Sequence, residues 1–189
     1  MYNFRKNIVC LKEIDSTQKE IWRQFDCNKI EDSLVIITDR QTNGIGTNGR
    51  KWINETNENI IFSLGINLEK NHITIDMIKG ITIKLAESLL KIFKQEYNIQ
   101  EIKIKYHNDL ILNEKKIGGI LTETKLRGNL VKKLVIGIGI NTNQKEFKIE
   151  EIKNIATSIY KELNFKVDNK LIIKMFLKEL EDFFNKEME

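Results

Sequence analysis

The glycine-rich segment 41–52 is the feature that most restricts how this chain can fold. It holds three glycines among small polar residues and ends in Arg50, Lys51 and Trp52. Short apolar runs precede and follow it, so the pattern predicts a strand, a loop and a second strand. A P-loop and a dinucleotide-binding turn are excluded, because both need a helix that starts directly after the glycines.

The same segment is suited to binding an anion. Glycine lets the backbone approach a ligand closely because it has no Cβ, and successive N–H groups in such a loop can surround an anion. Arg50 and Lys51 supply the charge that a phosphate needs, and Trp52 offers a flat face for a ring. A flexible surface loop of Asn and Gly is the alternative interpretation of these residues.

The composition is that of an ordinary globular protein, with 41% hydrophobic and 31% charged residues and a net charge of +4. No apolar run approaches the ~20 residues of a membrane helix, and the N-terminus lacks the features of a secretory signal. Cys10 and Cys27 are too few for a disulfide framework, which indicates a reducing cytoplasm. Lysines and glutamates are interspersed as on a solvated surface, so we expect one domain over residues 1–189 without DNA or membrane partners. The basic residues within 103–133 leave an anionic ligand or an acidic partner open.

The hydrophobic periodicity predicts an α+β fold with a mixed, mostly antiparallel sheet and helices packed on it. Asp15, Ser16 and Thr17 fit the start of a helix, and Thr17 with Glu20 fits a capping box; a cap is the alternative to a binding role for these residues. The expected strands are 8–11, 33–39, 59–67, 102–105, 111–112, 117–123 and 134–141, and the expected helices are 17–25, 74–97, 149–162 and 168–186.

Glycine recurs inside two of the predicted strands, at 118, 119, 137 and 139. Repeated glycine weakens a sheet unless something lies against the backbone, so we expect one sheet face lined by a ligand. Cations and amides dominate the polar residues nearby, which suits a phosphate-bearing ligand with a metal ion better than a hydrolytic carboxylate pair or a nucleophilic triad. These polar residues are Gln41, Arg50, Lys51, Lys105, Asn108, Asp109, Lys116 and Asn141.

Five short motifs follow one another along the chain. They are Asp15-Ser16-Thr17, the segment 41–52, Lys105-Tyr106-His107-Asn108-Asp109, the stretch from Lys116 through Glu123, and Gly137-Ile138-Gly139-Ile140-Asn141. In order and spacing they resemble the motifs of the biotin protein ligases over about residues 7–186. A single motif of this kind is weak evidence, whereas five in order are specific.

The resemblance implies a fold related to the catalytic domains of class II tRNA synthetases and lipoate ligases. It also implies a reaction in two steps, with biotin as substrate, ATP and Mg²⁺ required, and no tightly bound metal. Biotin is first activated as biotinyl-5′-AMP with release of pyrophosphate. A lysine on the carrier domain of a biotin-dependent carboxylase or decarboxylase then displaces AMP.

The resemblance also implies roles for individual residues. Lys116, Arg50 and Asp109 would be catalytic, with Asp109 also a Mg²⁺ ligand, and Lys116 would bridge the biotin carboxylate and the α-phosphate. The biotin contacts would be Ser16, Thr17, Gln18, Gln41, Gly44, Ile45, Gly46, Thr47, Lys116, Gly118, Gly119, Gly137 and Gly139. The contacts to ATP or the adenylate would be Arg50, Lys51, Trp52, Asn108, Lys116 and Asn141.

The chain departs from the family pattern at several positions. The family usually has arginine at the positions of Ile45 and Thr47, so either Arg50 and Lys51 hold the adenylate or it is poorly retained. Tyr106-His107 replaces Trp-Pro. The residues before Asp15 are too few for a DNA-binding helix-turn-helix, and we expect no C-terminal barrel domain.

Two other functions remain open at this stage. One is a ligase of the same superfamily that acts on lipoate or octanoate, and the other is a catalytically impaired biotin-binding module. The acceptor protein and the choice between monomer and homodimer are left open by the sequence.

Overall fold

Seven of the nine strands in residues 2–187, the part of the chain that the computed structural model describes, form one mixed sheet. Its order is β1-β2-β5-β9-β8-β7-β6, with β1 and β2 parallel and the other neighbours antiparallel. β3 and β4 form a separate small hairpin. The strands are β1 Ile8–Ile14, β2 Ser33–Gln41, β3 Gly44–Ile45, β4 Lys51–Trp52, β5 Ile60–Asn67, β6 Lys103–Lys105, β7 Asp109–Leu112, β8 Lys115–Arg127 and β9 Leu130–Ile140.

The two faces of the sheet are filled very differently. The helices are α1 Thr17–Asp26, α2 Ile81–Tyr97, α3 Ile159–Leu163 and α4 Asn169–Glu187. One face carries the main core, to which α2 and α4 contribute buried Leu, Ile and Phe side chains. The other carries a small cluster of Ile21 and Phe25 from α1 with Ile30, Ile36 and Val135.

The alternation of residues along β9 explains this asymmetry. Successive side chains of a strand point to opposite faces, and residues 134, 136, 138 and 140 are all apolar members of the main core. On the opposite face, Val135 packs beneath α1, and Gly137 and Gly139 follow it. Because these glycines leave that face bare, the sheet has a hollow beside α1.

The predicted fold class is confirmed, whereas two helix predictions are wrong in extent. α2 begins at Ile81, not at 74, because Gly80 takes a positive φ of 78° that interrupts the helix. The predicted helix 149–162 is reduced to α3, which Ser158 caps by accepting from the N–H of Lys161. The preceding residues form turns, and Ala156 then makes a parallel bridge to Lys116.

The segment 41–52 is a strand connection, as predicted, although it includes the hairpin of β3 and β4. Cys10 and Cys27 are both free and exposed. None of the helices in residues 2–187 is long and apolar enough to cross a membrane. The single domain over 1–189 stays a prediction.

Candidate active site

The hollow beside α1 is a cavity of about 470 Å³, a size typical of small-molecule sites. Its base is the glycine-bearing face of β8 and β9, and the hairpin of β3 and β4 covers one side. Residues at the start of α1 and at the end of β2 close one end. Lys116, Asp109 and the turn at 152–156 line the other end.

The first end of the cavity is a buried polar cluster, which we call the floor, made of Thr17, Gln18, Gln41 and Ser63. All four side chains are less than 10% exposed. The N–H of Thr17 donates to Oε1 of Gln41 at 2.8 Å, and the Thr17 and Ser63 hydroxyls lie 2.8 Å apart. The Ser63 hydroxyl donates to Oε1 of Gln18 at 3.0 Å. Such a cluster can recognise a compact polar group at the end of an otherwise apolar ligand.

The glycines of β8 and β9 provide the space for these groups. A Cβ at Gly137 would lie 2.5 Å from Oε1 of Gln18, and one at Gly139 would lie 2.5 Å from Cε2 of Trp52. Real Cβ contacts are not that short, so both positions require glycine for the observed packing. A Cβ at Gly119 would be at an ordinary 3.5 Å from the Lys116 side chain.

The hairpin carries the cationic and aromatic residues of segment 41–52. The N–H of Gly46 donates to the carbonyl of Arg50 at 2.7 Å, which closes the turn, and the indole of Trp52 lies directly against Gly139. The guanidinium of Arg50 is exposed and donates to Oγ1 of Thr47 at 2.9 Å. Arg50 therefore places a positive charge beside Thr47, whose own side chain is uncharged.

At the second end of the cavity, Lys116 forms an ion pair with Asp109. Nζ of Lys116 lies 2.7 Å from Oδ1 of Asp109, and the two side chains are 31% and 20% exposed. The ammonium is also 5.9 Å from the Trp52 ring centroid. Neighbouring backbone holds Lys116 in place, since its N–H donates to the carbonyl of Ile155 and its carbonyl accepts from Thr157, both at 2.9 Å. A half-buried cation thus faces a cavity that can hold an anion.

Amide side chains order the chain where β9 ends. Asn141 is buried, and its Oδ1 accepts from Asn59 at 3.3 Å. Asn59 also donates to Gln144 at 2.7 Å. Near Lys116, the amide of Asn108 donates to the carbonyl of Ile120 at 3.2 Å, which leaves its amide oxygen as the remaining acceptor.

An ion pair holds the start of α1 next to the floor. Asp15 and Arg23 are 2.6 Å apart, and the hydrogen bonds from Arg23 lower the pKa of Asp15 from its ordinary value to about 2. Ser16 follows as the helix cap and accepts from the N–H of Lys19. The predicted capping box is wrong by one position, because Ser16 and not Thr17 is the cap.

Most of the residues predicted from the sequence lie together around this cavity, and three do not. Gly118 points to the opposite face, where a Cβ would meet Leu110 and Ile140, so the expected contact with biotin is wrong for this residue. Ser16 is fully buried as a cap, and Gly44 lies beneath Gln41 within the hairpin. The predicted residues that line the cavity are Thr17, Gln18, Gln41, Ile45, Gly46, Thr47, Arg50, Lys51, Trp52, Lys105, Asn108, Asp109, Lys116, Gly119, Gly137, Gly139 and Asn141.

Sequence reasoning missed several residues of the cavity wall. Ser63 is the main one, and its signal was a single hydroxyl within the apolar run of β5. Ile152 and Ile155 also line the cavity. They were assigned to a helix, so no pattern placed them beside Lys116.

Comparison with known proteins adds to the geometry. The Biotin/lipoate A/B protein ligase family matches residues 10–141. The bifunctional ligase/repressor BirA of Bacillus spizizenii is 33% identical over 173 residues, which are 91% of this chain and 52% of that protein. The biotin–[acetyl-CoA-carboxylase] ligase of Mycobacterium tuberculosis is 28% identical over 154 residues, 79% of this chain and 53% of that protein. The chain therefore spans about half the length of these curated relatives.

A solved structure agrees over nearly the whole chain. The biotin protein ligase from Aquifex aeolicus in complex with biotin and ATP superimposes with a TM-score of 0.76 at 32% identity. The match covers 97% of this chain and 72% of that one. The cavity therefore belongs to a fold that holds both molecules in a similar protein.

Proposed function

Because this chain belongs to the Biotin/lipoate A/B protein ligase family, we propose that it is an ATP-dependent biotin–protein ligase. The observation that carries the proposal is the ion pair of Lys116 with Asp109 at the edge of a glycine-lined cavity. The similarity to a ligase that was solved with biotin and ATP supports the same substrates.

The two ends of the cavity suit the two ends of biotin. The floor offers hydroxyl and amide groups to the cyclic urea, and the glycines at 137 and 139 let Gln18 and Trp52 lie close against the sheet, which leaves the cavity beside them for a flat ring. The carboxylate of the tail would then lie towards Lys116. In this orientation Thr17, Gln18 and Gln41 bind the urea, while Ile45, Gly46, Thr47 and Gly119 line the tail.

In the first step, a biotin carboxylate oxygen attacks the α-phosphorus of ATP. The new bond is the acyl–phosphate bond of biotinyl-5′-AMP, and the bond to the pyrophosphate oxygen breaks. Lys116 would contact both anions, neutralise their repulsion, and stabilise the charge that grows on the phosphoryl oxygens. Asp109 holds the ammonium in position before the substrates arrive.

The nucleotide would lie along the hairpin. Arg50 and Lys51 supply positive charge for the phosphates, and Trp52 packs beside the adenine ring. Asn108 and Asn141 supply polar contacts at the same end. Because Ile45 and Thr47 stand where relatives usually have arginine, Arg50 is the main guanidinium available for the adenylate phosphate in this proposal.

Mg²⁺ would accompany ATP, with Asp109 as its protein ligand. A single carboxylate suits this ion, because Mg²⁺ beside nucleotides takes one or two carboxylates and otherwise phosphate oxygens and waters. When bound, the ion would neutralise phosphate charge.

In the second step, the amine of a carrier-domain lysine attacks the acyl carbon and AMP leaves. We propose the biotin carboxyl carrier domain of a biotin-dependent carboxylase or decarboxylase as this acceptor, in the cytoplasm, with the ligase acting as a monomer or homodimer. The name of the M. tuberculosis relative supports a carboxylase as the acceptor.

Exchange of labelled pyrophosphate into ATP tests the first step directly. We expect exchange that depends on biotin, falling at least 100-fold in Lys116→Ala, since removing one stabilising group of this kind costs about 10²–10³ in rate. Lys125→Ala is the matched control, because Lys125 is an exposed lysine on the same strand. Biotin binding without any exchange in the unmodified protein would refute the proposal.

A further inference from the structure

Glu123 lies outside the cavity, yet it is hydrogen-bonded to Gln18 of the floor. It follows Gly119 and Leu121 on the same face of β8, and its Oε2 accepts two hydrogen bonds from α1. One comes from Nε2 of Gln18 at 2.9 Å and the other from Nε1 of Trp22 at 2.8 Å. The carboxylate therefore contacts the far side of the Gln18 amide.

These contacts fix the direction of the hydrogen bonds in the floor, that is, which group donates and which accepts in each of them. A carboxylate only accepts, so Gln18 must turn its NH₂ to Glu123 and its oxygen to Ser63. Ser63 then donates its one hydroxyl proton to that oxygen, at 3.0 Å. Since Ser63 has no second proton, the 2.8 Å contact between the hydroxyls is a donation from Thr17 to Ser63, and it takes the Thr17 proton in preference to the longer 3.1 Å contact between the Thr17 hydroxyl and Oε1 of Gln41. Oε1 of Gln18 and the hydroxyl oxygens of Ser63 and Thr17 then have only acceptor capacity left.

We propose that Glu123 and Trp22 are positioning residues that fix this direction, so that the oxygens of Thr17, Gln18 and Ser63 present acceptors to the N–H groups of a cyclic urea. The inference rests on the proposed function and adds what selects the urea. Gln41 does not disturb the order, because its Oε1 already accepts from the N–H of Thr17 at 2.8 Å and therefore does not need the proton of the Thr17 hydroxyl, which lies farther away at 3.1 Å.

Either Glu123 or Trp22 alone is sufficient to fix the direction of these hydrogen bonds. In Glu123→Gln, the indole of Trp22 still donates and holds the new amide oxygen towards α1, so Gln18 keeps its orientation. In Trp22→Phe, the carboxylate still only accepts. In the double variant neither group is restricted to one role, so the amides at 18 and 123 can turn over, and Thr17, Gln18 and Ser63 can then donate as well as accept.

Comparing the binding of two ligands tests the direction of the hydrogen bonds in the floor. One is biotin, and the other is its cyclic carbamate analogue, in which oxygen replaces one urea N–H without added bulk. We expect the unmodified protein to prefer biotin by about tenfold or more in Kd. In the analogue, the ring oxygen that replaces the N–H would face an acceptor oxygen of the protein, and no hydrogen bond could form between them. Each single variant should keep most of this preference, and the double variant should lose it.

Thr122→Val is the matched control, because Thr122 is next to Glu123 and bonds Thr82 at 2.7 Å on the other face of the sheet. It should leave the preference unchanged. A purely structural role would weaken both ligands equally and additively in the two single variants. That result, or a preference retained in the double variant, would overturn the inference.

A ligand-free measurement separates this inference from the proposed function. In the NMR spectrum of the unmodified protein, the Gln18 amide protons and the Trp22 indole proton should exchange slowly with water. The Gln18 protons should exchange at least tenfold faster in the double variant. Absence of biotin binding to the unmodified protein would refute the proposed function, whereas unprotected Gln18 protons would refute the inference.

Discussion

At the scale of single residues, the glycines of β8 and β9 should not be equivalent. Gly137→Ala places a Cβ 2.5 Å from the Gln18 amide, and Gly139→Ala places one 2.5 Å from the Trp52 ring. We expect each to weaken biotin binding by about tenfold or more, because the floor or the hairpin must move. Gly119→Ala, at 3.5 Å from Lys116, should change the Kd less than about threefold.

Gly118→Ala provides the contrast within the same strand. Its Cβ would lie 3.1 Å from the carbonyl of Gly139 and 3.2 Å from Leu110, on the core side. We expect a lower urea midpoint with an unchanged Kd in the folded protein. Isothermal titration calorimetry and urea denaturation measure the two effects separately, and equal losses of binding at 118 and 137 would contradict the assigned orientations.

We predict that the pair of Arg50 and Thr47 determines how firmly the adenylate is held. Arg50 donates to Thr47 across the turn, and threonine offers one hydroxyl where arginine offers five donors and a charge. We expect Thr47→Arg to slow the release of biotinyl-5′-AMP by about tenfold, and Arg50→Ala to speed it. Rapid filtration with labelled ATP measures the release, and unchanged release in both variants would exclude this surface as the phosphate contact.

At the scale of elements, α1 is the part of the scaffold that presents Thr17 and Gln18. The Arg23 guanidinium holds the pKa of Asp15 at about 2, below the ordinary value near 4. The ion pair therefore stabilises the fold fully above about pH 4, and this contribution is lost as the pH falls towards 2. The pair is largely exposed, so the effect is small and weakened by salt.

Asp15→Asn isolates this contribution. We expect its urea midpoint to lie below that of the unmodified protein at pH 6 and the gap to shrink between about pH 4 and pH 3. Glu13→Gln is a suitable control, since Glu13 forms an exposed ion pair with Arg40 on the sheet edge. A gap that stays constant down to pH 3 would show that Asp15 acts through something other than its charge.

The elements also show what could be predicted from the sequence. Strands and most lining residues could be located because alternation and glycine are local signals. The segment 149–157 could not, because its backbone is fixed by two hydrogen bonds to Lys116, more than thirty residues away in the chain. The periodicity of Ile149, Ile152 and Ile155 is helical, but tertiary pairing overrides it. Gly118 was misassigned for a similar reason, since two adjacent glycines cannot both face one side of a strand.

At the scale of the whole molecule, the two faces of the sheet differ in role: one holds most of the apolar core, and the other holds the cavity. The face covered by α2 and α4 holds the main core, whereas the face beneath α1 holds a five-residue cluster and the cavity. Buried polar groups of the floor lie on the less densely packed side. A ligand that fills the cavity therefore adds contacts where the protein has few of its own, so binding should raise the melting temperature markedly.

Heat stability can therefore distinguish biotin from lipoate as the acid bound. A ligand at 100 times its Kd stabilises a protein by about 2.7 kcal/mol, which corresponds to a rise in Tm of about 5–10 °C for a chain of this size. Biotin should produce this rise, because its urea can bond to the floor at Thr17 and Ser63. Lipoate should produce less than about 2 °C at the same concentration, since its dithiolane ring has no N–H to donate to those hydroxyl oxygens and would bury their free acceptor capacity. A larger shift with lipoate than with biotin in differential scanning calorimetry would instead identify the floor as a site for an apolar ring.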